Sequence, residues 1–209
     1  MKSLNSYFDK IFCINLEHRV DRWLSCTSQF NKFGITAERF VGYEQLVYDG
    51  IVHGNFGCTS SHRSILELIR YHSWERTLIL EDDFQIRHED FTERFDNLIG
   101  FVPDNWDMLY LGGHYGEPPQ ARINEHVIRI GRTLTTSSYA VTLRQAEKMA
   151  PYICGPSPID SLYGGYNVKD MCYILQPRLM VQYGNFSDIQ LRHMDNSACM
   201  EDCNHENMV

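Results

Sequence analysis

The chain has 209 residues, 43% of them hydrophobic and 22% charged, a balance that excludes a disordered or low-complexity protein. No stretch approaches the roughly 18 apolar residues of a spanning helix, so no membrane span is expected. With 19 basic and 27 acidic side chains the net charge is −8, so the overall field does not draw in nucleic acid.

In chain order, Met1 to Lys10 carries Asp9 and has no apolar core, so no secretory signal and a cytoplasmic location are expected. Ile11 to Leu16 is short, apolar and bounded by charge, which predicts a buried strand. Val20, Trp23, Leu24, Thr27, Phe30 and Phe33 recur at helical steps, and Gly34 is the expected stop. A second strand is expected near Thr36 to Val41. Thr59 or Ser60 is the expected cap of a helix carrying Ile65, Leu66, Leu68 and Ile69. Thr77 to Leu80 predicts a buried strand cut off by Glu81-Asp82-Asp83. A helix bearing Phe91, Phe95, Leu98 and Ile99 follows, then the strand Asp107 to Leu111, stopped by Gly112 and Gly113. Further strands are expected at Val127 to Ile130, Ser138 to Val141 and Cys172 to Leu175. Thr142 caps a helix running to Ile153. Residues 191 to 209 read as a polar tail or linker.

This alternation predicts one α/β domain over residues 1–190 with a mostly parallel, mixed sheet flanked by helices. Ligands in such sheets sit beyond the carboxyl ends of the strands. Asn15 to Arg22, Glu81 to Asp83 and Gly112 to His114 all fall there.

The acidic triplet is costly to desolvate unless a cation neutralises it. On extended backbone Glu81 and Asp83 face one way and Asp82 the other, leaving Asp82 for structure. Oxygen-only ligation favours Mn²⁺ or Mg²⁺ held together with phosphates. The same triplet also reads as a solvated turn at the start of the next helix. Gly57-Cys58-Thr59-Ser60-Ser61-His62 offers close backbone approach and hydroxyls for phosphate or ribose, or simply a well-capped helix. His18, Arg19 and Arg22 are candidates for a diphosphate, or surface ion pairs with Glu17 and Asp21. Asp160 is a general base or an N-cap. Gly112, Gly113 and His114 are expected to shape a sugar pocket, with Gly112 to Arg122 as a lid.

Of the seven cysteines, Cys13 and Cys172 read as buried hydrophobes. Cys199, Cys203 and His205 lack a fourth zinc ligand and read as part of the tail. Asn185-Phe186-Ser187 reads as an unmodified turn.

Seven segments in order, IFCINLEHRVDRW, GNFGCTSSHRSIL, LILEDDF, WDMLYLGG, SSYAVTLRQAEKM, PIDSLY and LQPRLMVQYGNFSDI, resemble glycosyltransferase family 25. That family holds lipooligosaccharide and collagen galactosyltransferases. The chain also resembles a chlorella-virus-type transferase domain, which places it in the host cytoplasm. The resemblance implies a GT-A (nucleotide-diphospho-sugar transferase) fold, a UDP-sugar donor, a glycan or glycoprotein acceptor, a divalent metal and inversion. It implies donor contacts at Asn15, Leu16, Arg19, Gly57, Ser61, His62, Glu81, Asp82, Gly112 and Gly113. Metal ligation falls to Asp83 and Glu81, with a late histidine, His193, and the base is Asp160. E-D-D departs from a strict D-x-D, which leaves open which carboxylate touches the metal. A metal-dependent phosphohydrolase and a non-catalytic nucleotide-sugar-binding module are the alternatives.

Overall fold

The computed structural model describes residues 2–48, 51–195 and 200. Its centre is an eight-stranded sheet in the order Glu38–Val41, Lys10–Asn15, Arg76–Glu81, Ser138–Thr142, Met108–Tyr110, Cys172–Leu175, Val127–Arg129, Ala121–Arg122. Six strands point the same way. Ser138–Thr142 and Val127–Arg129 run against them. The expected mixed, mostly parallel sheet is therefore present.

Helices cover both faces because the strands are apolar on both. Leu78, Leu80, Leu109, Ala140 and Tyr173 point to one core, which packs against Phe30 of the helix Val20–Phe33 and Phe91 and Phe95 of Phe91–Ile99. Their strand neighbours Ile79, Met108, Tyr110, Tyr139 and Ile174 point to the other. That core is closed by Ile65 and Leu66 of Gly54–His72, Met149 of Leu143–Met149, and Tyr163 of Ile159–Asn167. The period-two alternation supplies two cores from one set of strands.

Several local expectations hold. Gly34 ends its helix at φ 64°, and the Thr142 hydroxyl accepts from the Gln145 amide at 3.3 Å. Cys13 and Cys172 are fully buried.

Others are corrected. The helix expected to start at Thr59 or Ser60 starts at Gly54, so the hydroxyl-rich segment lies inside it. Those hydroxyls staple neighbouring chain instead of capping: Thr59 Oγ1 donates to Ser157 O at 2.8 Å, and Ser61 Oγ donates to Gly57 O and accepts from Tyr43 N. The helix with Asp160 in its first turn is capped by Pro158, so Asp160 is not the cap. The supposed lid is tied down: His114–Tyr115 pairs with Thr133–Leu134, and Ala121–Arg122 is a sheet strand. Asn185–Ser187 is a strand, not a turn, and pairs with Arg192–Met194. The domain boundary at 190 therefore falls inside a hairpin, and the fold continues past it. The hairpin gives little sequence signal because its residues alternate weakly and none of them is buried. Cys203 and His205 lie outside the described residues, as does Cys199.

Candidate active site

The parallel strands Lys10–Asn15 and Arg76–Glu81 lie side by side, with Ile14 opposite Glu81. Their carboxyl ends deliver Asn15 and the acidic triplet to one edge of the sheet. The antiparallel strand Ser138–Thr142, on the other side of Arg76–Glu81, begins at the same end, and Ser137 O accepts from Glu81 N at 3.0 Å. Two cavities meet there. The first, about 140 Å³, is lined by Ile14, Leu16, Tyr43 and Arg22 among others. The second, about 580 Å³, is lined by His114, Thr135, Asp160, Tyr183 and Met194 among others. Cys58, Glu81, Asp83 and Gln182 line both.

The three acids have three different jobs. Asp82 is buried and receives Arg22 Nη1 and Asn15 Nδ2, each at 2.6 Å. Burial raises its pKa and the Arg22 charge opposes this. Glu81 accepts from Thr136 Oγ1 at 2.6 Å, and its Oε1 lies 3.1 Å from His62 Nε2. Burial works to raise its pKa, but the His62 ring and the Thr136 hydroxyl outweigh burial and hold it below the usual glutamate range. Asp83 Oδ2 accepts from Gln182 Nε2 at 3.0 Å, and Arg22 Nη1 is 3.7 Å away. Asp83 Oδ1 is buried and has no partner. Burial, reinforced by the Glu81 and Asp82 charges, pushes the Asp83 pKa up to about 7.

The remaining expected residues divide. Leu16 lines the first cavity and Asp160 the second, where its Oδ1 accepts from Ser161 N at 2.7 Å. His62 and Ser61 line the first. Gly57 acts at one remove: a Cβ there would collide with the carbonyls of Tyr43 and Glu44, so its hydrogen lets the loop beside the first cavity lie on the helix.

Other expected donor contacts are occupied by the fold. The Asn15 amide is spent on Asp82, Arg19 O and Arg39. Arg19 is bound by Asp21 and Asp188 and lines neither cavity, so it offers no free fork to a diphosphate. Gly112 and Gly113 also lie outside both linings. A Cβ on Gly112 would strike Met180 O, so this glycine admits the strand Met180–Gln182 that carries Gln182 to Asp83. His193 is exposed against the Phe186 ring and lines neither cavity, and so lies apart from Glu81 and Asp83.

Sequence reading did not single out Gln182, Asp188, Thr136, Tyr43 or Tyr139. Arg22 stands as the one Lys or Arg in either lining, among the described residues. Four carboxylates, Glu81, Asp82, Asp83 and Asp188, surround it in the first cavity.

No protein-family model matches the chain. A glycosyltransferase 25 family member of Anopheles gambiae is 31% identical over 66% of this chain and 28% of its own length. Human procollagen galactosyltransferase 2 is 25% identical over 68% of this chain and 27% of its own. A human inactive glycosyltransferase 25 family member 3 is 27% identical over 68% of this chain and 28% of its own. The chain thus spans less than a third of the length of these curated relatives. Among solved structures, a glycosyltransferase involved in glycosylation of the major capsid of PBCV-1 aligns at TM-score 0.40 and 10% identity, covering 80% of this chain and 91% of that one. The mixed, mostly parallel sheet flanked by helices is the architecture expected from the sequence. Across the aligned span this chain is similar to members of the glycosyltransferase 25 family, the family its motifs resemble.

Proposed function

We propose that this chain is a metal-dependent, inverting glycosyltransferase domain that moves a sugar from a uridine diphosphate donor to a hydroxyl of a glycan or glycoprotein. One observation carries the reading: Asp83, buried at the junction of two cavities, keeps an oxygen without a partner beside a second carboxylate, Glu81. Such an arrangement is costly for the ionised form unless a cation joins it. Glu81 and Asp83 are oxygen donors suited to Mn²⁺ or Mg²⁺, and the residues present fit either. When bound, the dication would supply charge neutralisation for the diphosphate leaving group. A single lining arginine among four acids could not hold a diphosphate alone.

The chain's own residues supply the rest. Leu16, Ile14 and Tyr43 offer an apolar shelf for the base and ribose in the first cavity. Asp160, in the second cavity, accepts the proton from the acceptor hydroxyl as that oxygen attacks. A base on the acceptor side and a leaving group held on the donor side suit one displacement, which inverts the anomeric carbon. The second lining is rich in amides and hydroxyls, including Asn55, Thr135 and Gln190, which matches a hydroxyl-bearing acceptor.

The inactive relatives favour a second reading, a nucleotide-sugar-binding module without turnover. Calorimetry with UDP, with and without Mn²⁺, tests both: no UDP binding refutes both readings, and affinity that does not depend on the metal refutes the metal-dependent transferase. Sugar transfer to a panel of glycan acceptors then separates them, since the module binds donor and turns none over.

A further inference from the structure

We infer that Cys58, His62 and Glu81 form a second, overlapping metal site, one that takes a soft or borderline dication such as Zn²⁺ through sulfur, nitrogen and oxygen. Ligand atoms of the three side chains all lie within 4.8 Å of one another. Cys58 and His62 are four residues apart on the helix Gly54–His72, so they share a face. Glu81 is brought to that face by the end of its strand, at 3.1 Å from the His62 ring. Zinc bonds of about 2.0–2.3 Å in a tetrahedral site put ligand atoms about 3.5 Å apart, so small side-chain rotations close the triad.

The outer support is already built. His62 is fully buried, and its Nδ1 lies 2.9 Å from the Tyr139 hydroxyl, which lies 3.0 Å from that of Tyr163. This column fixes the ring with Nε2 towards Glu81, the orientation that a ligating imidazole needs from its second partner. Cys58 and Glu81 line both cavities, so an ion has a path in and an open coordination position facing the cleft.

The sulfur distinguishes this site from the oxygen-only pair Glu81 and Asp83. Soft ligands select zinc, and hard carboxylates select Mn²⁺ or Mg²⁺. Glu81 belongs to both, so a zinc ion on the triad withdraws it from the harder metal. Burial and the nearby Glu81, Asp160 and Asp83 charges hold the free Cys58 thiol protonated. Binding therefore breaks the S–H bond, forms the S–Zn bond and releases the proton to solvent, and the His62–Glu81 contact opens to admit the ion. The assignment leans on the proposed function only through the shared use of Glu81. Zinc is read out directly, so the result stands whether or not the chain transfers sugar.

The test is titration of the metal-stripped full chain with Zn²⁺ against a chromophoric chelator, under reducing conditions. Wild type should take up one ion, and Cys58→Ala should weaken uptake by at least about tenfold. Cys154→Ser, at an exposed thiol, and the double change Cys199→Ser with Cys203→Ser should leave it unaltered. Co²⁺ in place of Zn²⁺ should give a thiolate-to-metal absorption band that Cys58→Ala removes. No uptake by wild type, wild-type uptake by Cys58→Ala, or loss of uptake in the Cys199 and Cys203 variant instead, each overturns the assignment.

Discussion

Arg22 Nη1 donates to Asp82 Oδ1 at 2.6 Å, and each side chain is only 8% exposed. The same guanidinium reaches Asn185 and the Phe186 carbonyl. The middle acid of the triplet is thereby spent on tying the helix Val20–Phe33, the strand Arg76–Glu81 and the 185–194 hairpin together. Its two neighbours are left at the cavity junction.

Removing one member of that pair strands a buried charge. Arg22→Met should cost about 3–5 kcal/mol in chemical denaturation. A loss below about 1 kcal/mol, the range of an exposed pair, would show that the bond does not hold the fold.

Asp83 should behave in the opposite way. Asp83→Asn removes a buried carboxylate whose oxygen has no partner, so the metal-free fold should be as stable as wild type or more so above neutral pH. The same change should abolish Mn²⁺-dependent UDP binding. Calorimetry paired with thermal melts reads both, and either retained Mn²⁺-dependent binding or a clearly lowered melting temperature contradicts the assignment.

The pH dependence follows from the Asp83 pKa of about 7. The native carboxyl holds its proton more tightly than the unfolded one, so its contribution to stability is present at low pH. That contribution is lost as pH rises towards 7 and stays lost above it. Metal needs the ionised form, so Mn²⁺ affinity should fall about tenfold per pH unit below 7 and level off above. Subtracting the Asp83→Asn stability profile from the wild-type one isolates this group. A flat difference between pH 4 and 7 rejects it.

Asp160→Asn should keep donor and Mn²⁺ affinity and lower transfer by about 10²–10⁴-fold, the usual worth of a general base. Turnover near wild type would assign proton acceptance to another group in the second cavity.

Gly57→Ala sets two effects against each other. Inside an open helix alanine gains about 1 kcal/mol over glycine. Here its Cβ would collide with the carbonyls of Tyr43 and Glu44. The steric term should win, lowering the melting temperature and weakening UDP binding together, because Tyr43 lines the first cavity. A rise in melting temperature would show that the loop does not rest on this helix.

The strands were legible because their apolar runs are short and bounded by charge, as at Ile11 to Leu16 and Thr77 to Leu80. Helix ends were legible where one residue's backbone decides them, as at Gly34. The start of the helix Gly54–His72 was not, because its hydroxyls bond to segments distant in sequence, Ser157 and Tyr43.

The sequence by itself determined that three acids stand at a strand end, and that alternation along the strand divides them. It could not decide which side groups remain free. Arg19 looked available and is occupied by Asp188, 169 residues away. Asn15 looked like a donor contact and serves Asp82. Gln182 gave no signal, yet it holds Asp83. Local chemistry sets what each side chain can bind, but its availability depends on partners brought close only when the sheet and hairpin assemble, and that the tertiary structure alone decides.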